Sequence, residues 1–98
     1  MILQIQLANI PNQIVSVDIE GKHFVFEFVT RGGQLYANSI AVEDEVIVRG
    51  VACLNKNNII GLINSGLSGK LYFLDTEGNE PPNYAGFNTR WIFLYEGE

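Results

Sequence analysis

The chain has 98 residues, of which 47% are hydrophobic and 17% charged, and its net charge is −5 at pH 7. This length predicts a single domain over residues 1–98, and the hydrophobic content argues against intrinsic disorder. The six Lys and Arg residues are scattered, which argues against a nucleic-acid partner. No apolar run approaches the ~20 residues that a membrane-spanning helix needs, so we expect no membrane insertion.

Apolar and polar residues alternate with a period of two through the first strands of the chain. The pattern predicts strands at residues 13–20 and 22–29, joined by a tight hairpin at Gly21-Lys22. One face of this hairpin is expected to be apolar; it carries Val15, Val17, Ile19, Phe24, Phe26 and Phe28.

Paired glycines predict a turn at residues 31–33, followed by a strand over residues 34–42. In that strand one face is expected to carry Tyr36, Asn38 and Ile40, and the other Leu35, Ala37 and Ser39. A polar turn at residues 43–45 leads to a strand over residues 46–53, in which Gly50 indicates a bulge or a close backbone approach.

The second half of the chain continues with short strands and turns. The composition predicts a loop at 55–58, an apolar run at 59–63 that is either strand or helical turn, a flexible connection at 64–69, a strand at 70–75, a proline-containing loop at 76–82 and a last strand at 89–96. No stretch has helical periodicity. The sequence therefore predicts an all-β fold, a small antiparallel sandwich or barrel of about seven to eight short strands.

The sequence has few of the residues that bind metals or act as nucleophiles in catalysis. One histidine, His23, and one cysteine, Cys53, cannot form a metal cluster, and we expect Cys53 to be a small buried hydrophobe. Carboxylates in the turns are expected to be solvated, although the alternation of Asp75, Glu77 and Asn79 leaves a calcium loop as a minor alternative. We predict no catalytic residue, no metal, no cofactor and no enzymatic activity.

Aromatic side chains are the candidates for protein contact. The proline-stiffened loop that follows Pro81 and Pro82 carries Tyr84 and Phe87, which are either interface anchors or a lid on one end of the core. Tyr36 and Tyr72 are further interface candidates. Apolar residues on both faces of several strands indicate surfaces buried against other chains, unless loops cover them.

Several short landmarks occur in a recognisable order: an N-terminal strand, Asn-Ile-Pro-Asn-Gln at residues 9–13, Gly21 at a hairpin, Ile-Val-Arg-Gly at 47–50, Gly-Lys-Leu-Tyr-Phe at 69–73, the loop at 78–82 and the closing strand at 89–95. In this order the chain resembles the small baseplate plug proteins of contractile-tailed phages, the cyanophage-type plug family. The resemblance covers roughly residues 2–96.

The resemblance implies a non-catalytic virion protein on the tail axis, near the hub and spike, that is made in the host cytoplasm. Its expected partners are the hub, spike and tail-tube proteins and further copies of itself, with threefold closure as a hypothesis. The alternative is a free-standing β-barrel binding module, for which Tyr36, Tyr72, Tyr84 and Trp91 would supply an aromatic platform. A small hydrolase is a distant third hypothesis.

Overall fold

In the part of the chain that the structure describes, seven strands form two antiparallel sheets, which confirms the all-β prediction. The computed structural model describes residues 1–60 and 69–97. The strands are β1 (Ile2–Ile5), β2 (Gln13–Ile19), β3 (Lys22–Arg31), β4 (Gln34–Val42), β5 (Glu45–Ala52), β6 (Lys70–Asp75) and β7 (Trp91–Glu96). One sheet has the order β1-β7-β6 and the other β2-β3-β4-β5. A 3₁₀ turn lies at Tyr84–Gly86.

Two-residue turns connect the strands of the four-stranded sheet. The turn residues are Glu20-Gly21, Gly32-Gly33 and Glu43-Asp44, and all six have positive φ angles between 50° and 80°. Turns of this backbone type match the right-handed twist of the strands that they join. The first turn therefore lies one residue earlier than predicted, because Lys22 already belongs to β3.

A bulge interrupts β4 at Asn38. Phe28 of β3 pairs with Ala37, whereas the preceding residue Glu27 pairs with Ser39, so Asn38 is the extra residue. A bulge of this kind shifts the alternation of side chains by one position along the strand.

Because of the bulge, one prediction about the faces of β4 is wrong. Leu35 and Ala37 are buried before it, and Ile40 and Val42 are buried after it. Ile40 therefore lies on the core face, opposite to Tyr36, and not on the same face as Tyr36 as the uninterrupted alternation predicted.

Strand β5 is irregular, but its bulge does not lie at Gly50, and no close backbone approach occurs there. Gly50 has a φ of +67°, and a Cβ added there would meet nothing within 4 Å, so the backbone conformation and not crowding favours glycine. The register shift against β4 comes three residues earlier: Val46 and Val48 pair with consecutive residues of β4, which leaves Ile47 as the extra residue.

The core lies between the two sheets and is dominated by phenylalanine rings. Phe26 meets Phe93 edge-on at 5.2 Å between ring centroids, and Phe28 meets Phe73 edge-on at 5.6 Å. Phe73 and Phe93 stack at 4.7 Å. Edge-on and stacked rings at these separations are favourable beyond the area that they bury.

Within residues 1–60 and 69–97, backbone hydrogen bonds join the two sheets along one side of the sandwich. After β5 the chain pairs with β6: Lys56 N–H donates to Phe73 O at 2.7 Å, and Ile59 N–H donates to Leu71 O at 2.9 Å. On the other side β1 and β2 are the terminal strands of their sheets. The structure is thus a sandwich bridged at one edge.

Ile59 and Ile60 are buried in a turn, whereas the remainder of the predicted apolar run and most of the predicted flexible connection lie in residues 61–68, outside the described residues. Within residues 1–60 and 69–97, no helix has the length and apolar character required to cross a membrane.

The aromatic core generates a stability prediction. Phe93→Ala removes a fully buried ring that contacts three other phenylalanines, and we expect it to lower the free energy of unfolding by about 3–5 kcal/mol. Ile14→Ala, at a side chain 68% exposed, should change it by less than about 0.5 kcal/mol. Urea denaturation of both variants checks this; equal losses would contradict it.

Candidate protein-interaction surfaces

An ion pair organises the loop between β6 and β7. Arg90 donates from Nε to Asp75 Oδ1 at 2.8 Å and from Nη2 to Asp75 Oδ2 at 2.9 Å. The backbone N–H groups of Glu77 and Glu80 donate to the same carboxylate, each at 2.9 Å. Asp75 is only 4% exposed, so its oxygens are occupied within the chain. This geometry replaces the calcium-loop alternative, since Asp75 already has a cationic partner.

The hydrogen bonds from Arg90 hold the pKa of the Asp75 carboxyl well below its usual range, against the opposing effect of burial. The two N–H donors from Glu77 and Glu80 lower this pKa further. The same pairing raises the pKa of Arg90. The pair is therefore ionised at neutral pH and fixes the start of the loop relative to β7.

Arg90 and Glu80 also fix the indole of Trp91. The Arg90 guanidinium carbon lies 4.4 Å from the ring centroid of Trp91, and the indole N–H donates to Glu80 O at 3.1 Å. Trp91 is 8% exposed, which removes it from the aromatic platform that the binding-module alternative requires.

A second set of hydrogen bonds joins this loop to Leu7 and Asn9, in the segment between β1 and β2. The side-chain nitrogen of Asn9 lies within 3.3 Å of the carbonyl oxygens of Tyr84, Ala85 and Phe87. Asn88 donates from Nδ2 to Leu7 O at 2.6 Å and accepts from Leu7 N–H at 3.1 Å. Residues 83–88 are consequently held by contacts with residues more than 70 positions away in the sequence.

The remaining residues of the Asn-Ile-Pro-Asn-Gln segment also fasten the chain. Asn12 Oδ1 accepts from Thr30 N–H at 3.0 Å, and Pro11 O accepts from the Thr30 hydroxyl at 2.8 Å. Gln13 bonds both the N–H and the carbonyl of Ala8. The segment that carries the family resemblance therefore has a structural role, because it holds the entry to β2 against two distant parts of the chain.

The two loop aromatics have different environments. Phe87 is 1% exposed and stacks on Phe73 at 5.7 Å between centroids, whereas Tyr84 is half-buried against the core and keeps part of its ring exposed. A side chain that is 1% exposed offers no surface to another chain. We therefore assign Phe87 to the core, as the lid alternative has it, and retain Tyr84 as a surface candidate.

Tyr36 lies on the outer face of the four-stranded sheet. Its neighbours in the chain, Leu35 and Ala37, are buried, so its side chain points away from the core. The strand register and burial place further apolar residues on this surface, which we call the outer β2–β5 face: Ile14, Val25, Val29, Ala41 and Val46.

The carboxylate of Glu27 lies near the middle of the outer β2–β5 face, and Arg49 lies across β4 from it on the same face. Glu27 accepts a hydrogen bond from Asn38 Nδ2 at 2.7 Å, with the Ser39 hydroxyl at 3.5 Å. Asn38, the extra residue of β4, thus supplies a hydrogen bond to this carboxylate without adding a positive charge.

Tyr72 lies on the outer face of the three-stranded sheet, with Leu74, Ile92 and Leu94. Its hydroxyl donates to Glu96 Oε1 at 2.7 Å, and this bond, more than burial, raises the pKa of Tyr72. The structure therefore places Tyr36, Tyr72 and Tyr84 on two different sheet faces and one loop. It does not bring them together as one platform.

The remaining candidates for chemistry have structural environments. Burial raises the pKa of Cys53 to about 12, so its thiol is protonated at neutral pH. His23 Nδ1 lies 2.9 Å from Asp18 Oδ1 at the exposed end of the hairpin. Within the described ranges 1–60 and 69–97, no three His, Cys, Asp or Glu side chains are grouped so that they could hold a metal ion.

Residues 2–98 match the model of the family described as "Cyanophage baseplate Pam3 plug gp18". The chain belongs to this plug family. A search of curated proteins gave no match. The plug family is structural, and membership supports a structural role in a phage tail baseplate in association with other baseplate components. The resemblance seen in the short landmarks is thereby confirmed over the whole chain.

Sequence reasoning missed Asn9 and Arg90 as organising residues. Their partners are separated from them by at least 15 positions, apart from Glu80, and nothing in the local pattern marks the pairing. The one available signal was composition: an aspartate that ends an apolar strand, and an arginine directly before the next strand, are positioned to meet across a hairpin-like loop.

The ion pair predicts a specific pH dependence. Because the pKa of Asp75 is lower in the folded chain than in the unfolded chain, its contribution to stability is present above about pH 4 and is lost as pH falls through the folded-state pKa. We expect Asp75→Asn to be less stable than wild type at about pH 7, and this gap to narrow as pH is lowered below about 4. Urea midpoints across pH measure the gap; a gap that stays constant contradicts the assignment.

Because the two loop aromatics have different environments, we expect their replacement by alanine to destabilise the fold to different extents. Phe87→Ala should lower the free energy of unfolding by about 3–5 kcal/mol, because it leaves a cavity beside Phe73. Tyr84→Ala, at a partly exposed ring, should cost clearly less. Thermal melts compare the two variants, and a Tyr84→Ala loss as large as that of Phe87→Ala would place both rings in the core.

Proposed function

We propose that the chain is a non-catalytic plug on the tail axis, near the hub and spike, which helps to close the tail tube until contraction. The observation that carries the proposal is the match of residues 2–98 to a baseplate plug family. The match covers the strands, the loop between β6 and β7 and the segment at residues 9–13, so it concerns the whole architecture and not one motif.

The surface chemistry supports a protein-bound position. The outer β2–β5 face carries apolar side chains beside the hydrogen-bonded carboxylate of Glu27 and the charged Asp18 and Arg49, and Ile14 and Val46 on it are 68% and 40% exposed. Val25, Ala41 and Val46 are register neighbours on adjacent strands, and contiguous apolar side chains on a protein surface mark contact with other proteins. We propose that the partners are hub, spike and tail-tube proteins and further copies of the chain, with threefold closure around the axis.

A non-catalytic role fits the state of the reactive groups. The carboxylate of Asp75 is occupied by Arg90 and two backbone donors, and the Cys53 thiol is buried and protonated. Both groups contribute to the stability of the fold. In an enzyme, a catalytic carboxylate or thiol has to be available to the substrate.

The alternative, a free-standing binding module, has less support. A small barrel or sandwich that holds a ligand needs interior space, and the interior here is filled by stacked and edge-on phenylalanine rings. The tyrosines proposed for an external platform lie on separate surfaces.

Cross-linking of intact tails tests the proposal. The chain has three lysines, Lys22, Lys56 and Lys70, which report on three different parts of the fold. With an amine-reactive cross-linker and mass spectrometry of purified extended tails, we expect links to hub or spike proteins. Contracted tails are the matched control, in which those links should decrease. Links confined to sheath or peripheral baseplate proteins would contradict the axial position.

A further inference from the structure

The open side of the sandwich, between β1 and β2, leaves apolar side chains incompletely covered. Leu3 of β1 and Val15 and Val17 of β2 point toward the core yet are only half-buried, whereas Phe24 and Phe93 on central strands are fully buried. Ile5 and Ile19 on the same two strands are buried, so the incomplete cover is confined to part of this side, where each terminal strand has a neighbour on one side only. Along this side the three partly exposed apolar side chains lie at the margin of the core, between two strand edges.

The outer edge of β2 also presents backbone groups that β3 does not use. Ile19 and Lys22 close the two-residue hairpin, so in this turn type they exchange backbone hydrogen bonds, and every second residue back along β2 does the same. The N–H and carbonyl groups of Ile14, Ser16 and Asp18 therefore point away from β3. The ladder between β2 and β3 runs through seven residue pairs without a register shift, so this edge is straight and regular.

The other end of the same sheet is built differently. The terminal strand β5 carries the extra residue Ile47, the exposed charge of Arg49 and the positive φ of Gly50. Bulges, charges and irregular backbone are the devices by which proteins keep edge strands from pairing with other chains. Strand β2 has no proline and no bulge, and Asp18 near its end is its one charged residue, so this edge is less protected than that of β5.

We propose that the edge of β2 receives an extended segment of a different baseplate protein, which adds to the sheet as an antiparallel strand. The inference rests on the proposed baseplate role. Main-chain hydrogen bonds to Ile14, Ser16 and Asp18 set the register of the added strand, and its inward-facing side chains cover Val15 and Val17.

Charge and register define the chemistry of this segment. Asp18 and Glu20 lie at one end of the edge and exposed Ile14 at the other. The matching strand, read from its N-terminus, places a basic residue opposite Asp18, a small residue opposite Ser16 and an apolar residue opposite Ile14, with apolar residues at the two positions between them.

A second copy of the chain fits this edge less well. Antiparallel pairing of two β2 strands centred on Ser16 would bring Asp18 of each copy opposite Ile14 of the other, which places a carboxylate against an apolar side chain twice. Each copy also carries a net charge of −5, so their association is opposed electrostatically. A different, more basic protein avoids both costs.

The test compares Ser16→Pro with Ser16→Ala in the full-length chain. Proline removes the outward-facing N–H at the centre of the edge and no hydrogen bond to β3, so the fold should be kept, as circular dichroism and thermal melting will show. Alanine keeps the N–H and is the matched control. In co-sedimentation with tails that lack the native plug, we expect recovery of Ser16→Pro to fall about tenfold below that of wild type and Ser16→Ala.

Hydrogen–deuterium exchange of the wild-type chain gives a second readout that needs no variant. The amides of residues 14–18 that face outward should exchange at least about tenfold more slowly in tails than in the free chain. Equal recovery of all variants, together with unchanged exchange in β2, overturns the β2 assignment and leaves the baseplate role intact. Absence of wild type from the tails overturns the baseplate role itself. Dimerisation of the free chain that Ser16→Pro abolishes overturns the assignment to a different protein.

Discussion

The contact between phenylalanines of the two sheets is the interaction on which the structure depends. Phe26 and Phe28 from β3 meet Phe73 and Phe93 from β6 and β7, and the rings set the separation of the sheets. Central strands cover this small core of large rings fully, whereas some inward residues on terminal strands, such as Leu3, Val15 and Val17, remain partly exposed. The packing of the phenylalanine rings therefore accounts both for the filled interior and for the partly exposed apolar side chains at the edges of the sandwich.

Polar side chains position the loops that the core does not reach. Arg90 and Asp75 fix one end of the loop between β6 and β7, and Asn9 holds its 3₁₀ turn by three carbonyl contacts. Each clamp joins segments that are distant in sequence. The loop therefore presents Tyr84 in a fixed setting, which lowers the entropy that a partner would have to remove on binding.

Much of the fold could be predicted from local pattern, because period-two alternation and turn glycines act over a few residues. The strand Gln34–Val42 was located correctly, but its faces were not, since the extra residue Asn38 is visible only once β3 pairs beside it. Phe87 shows the same limit: spacing identifies an aromatic in a loop, and only the packing against Phe73 shows which way it points. The family could be recognised from the order of short landmarks, whereas no pattern in one chain encodes the residues of its neighbours.

The pairing of β1 with β7 has a consequence for the order in which the molecule forms. Ile2 lies opposite Glu96 in the ladder, so β1 leaves the ribosome well before its partner β7 has been synthesised. The four-stranded sheet, made of consecutive hairpins, can assemble from local contacts in the meantime. Until β7 has been made, the nascent chain carries an unpaired β1 and a half-covered aromatic layer, and exposed surface of this kind is prone to aggregation.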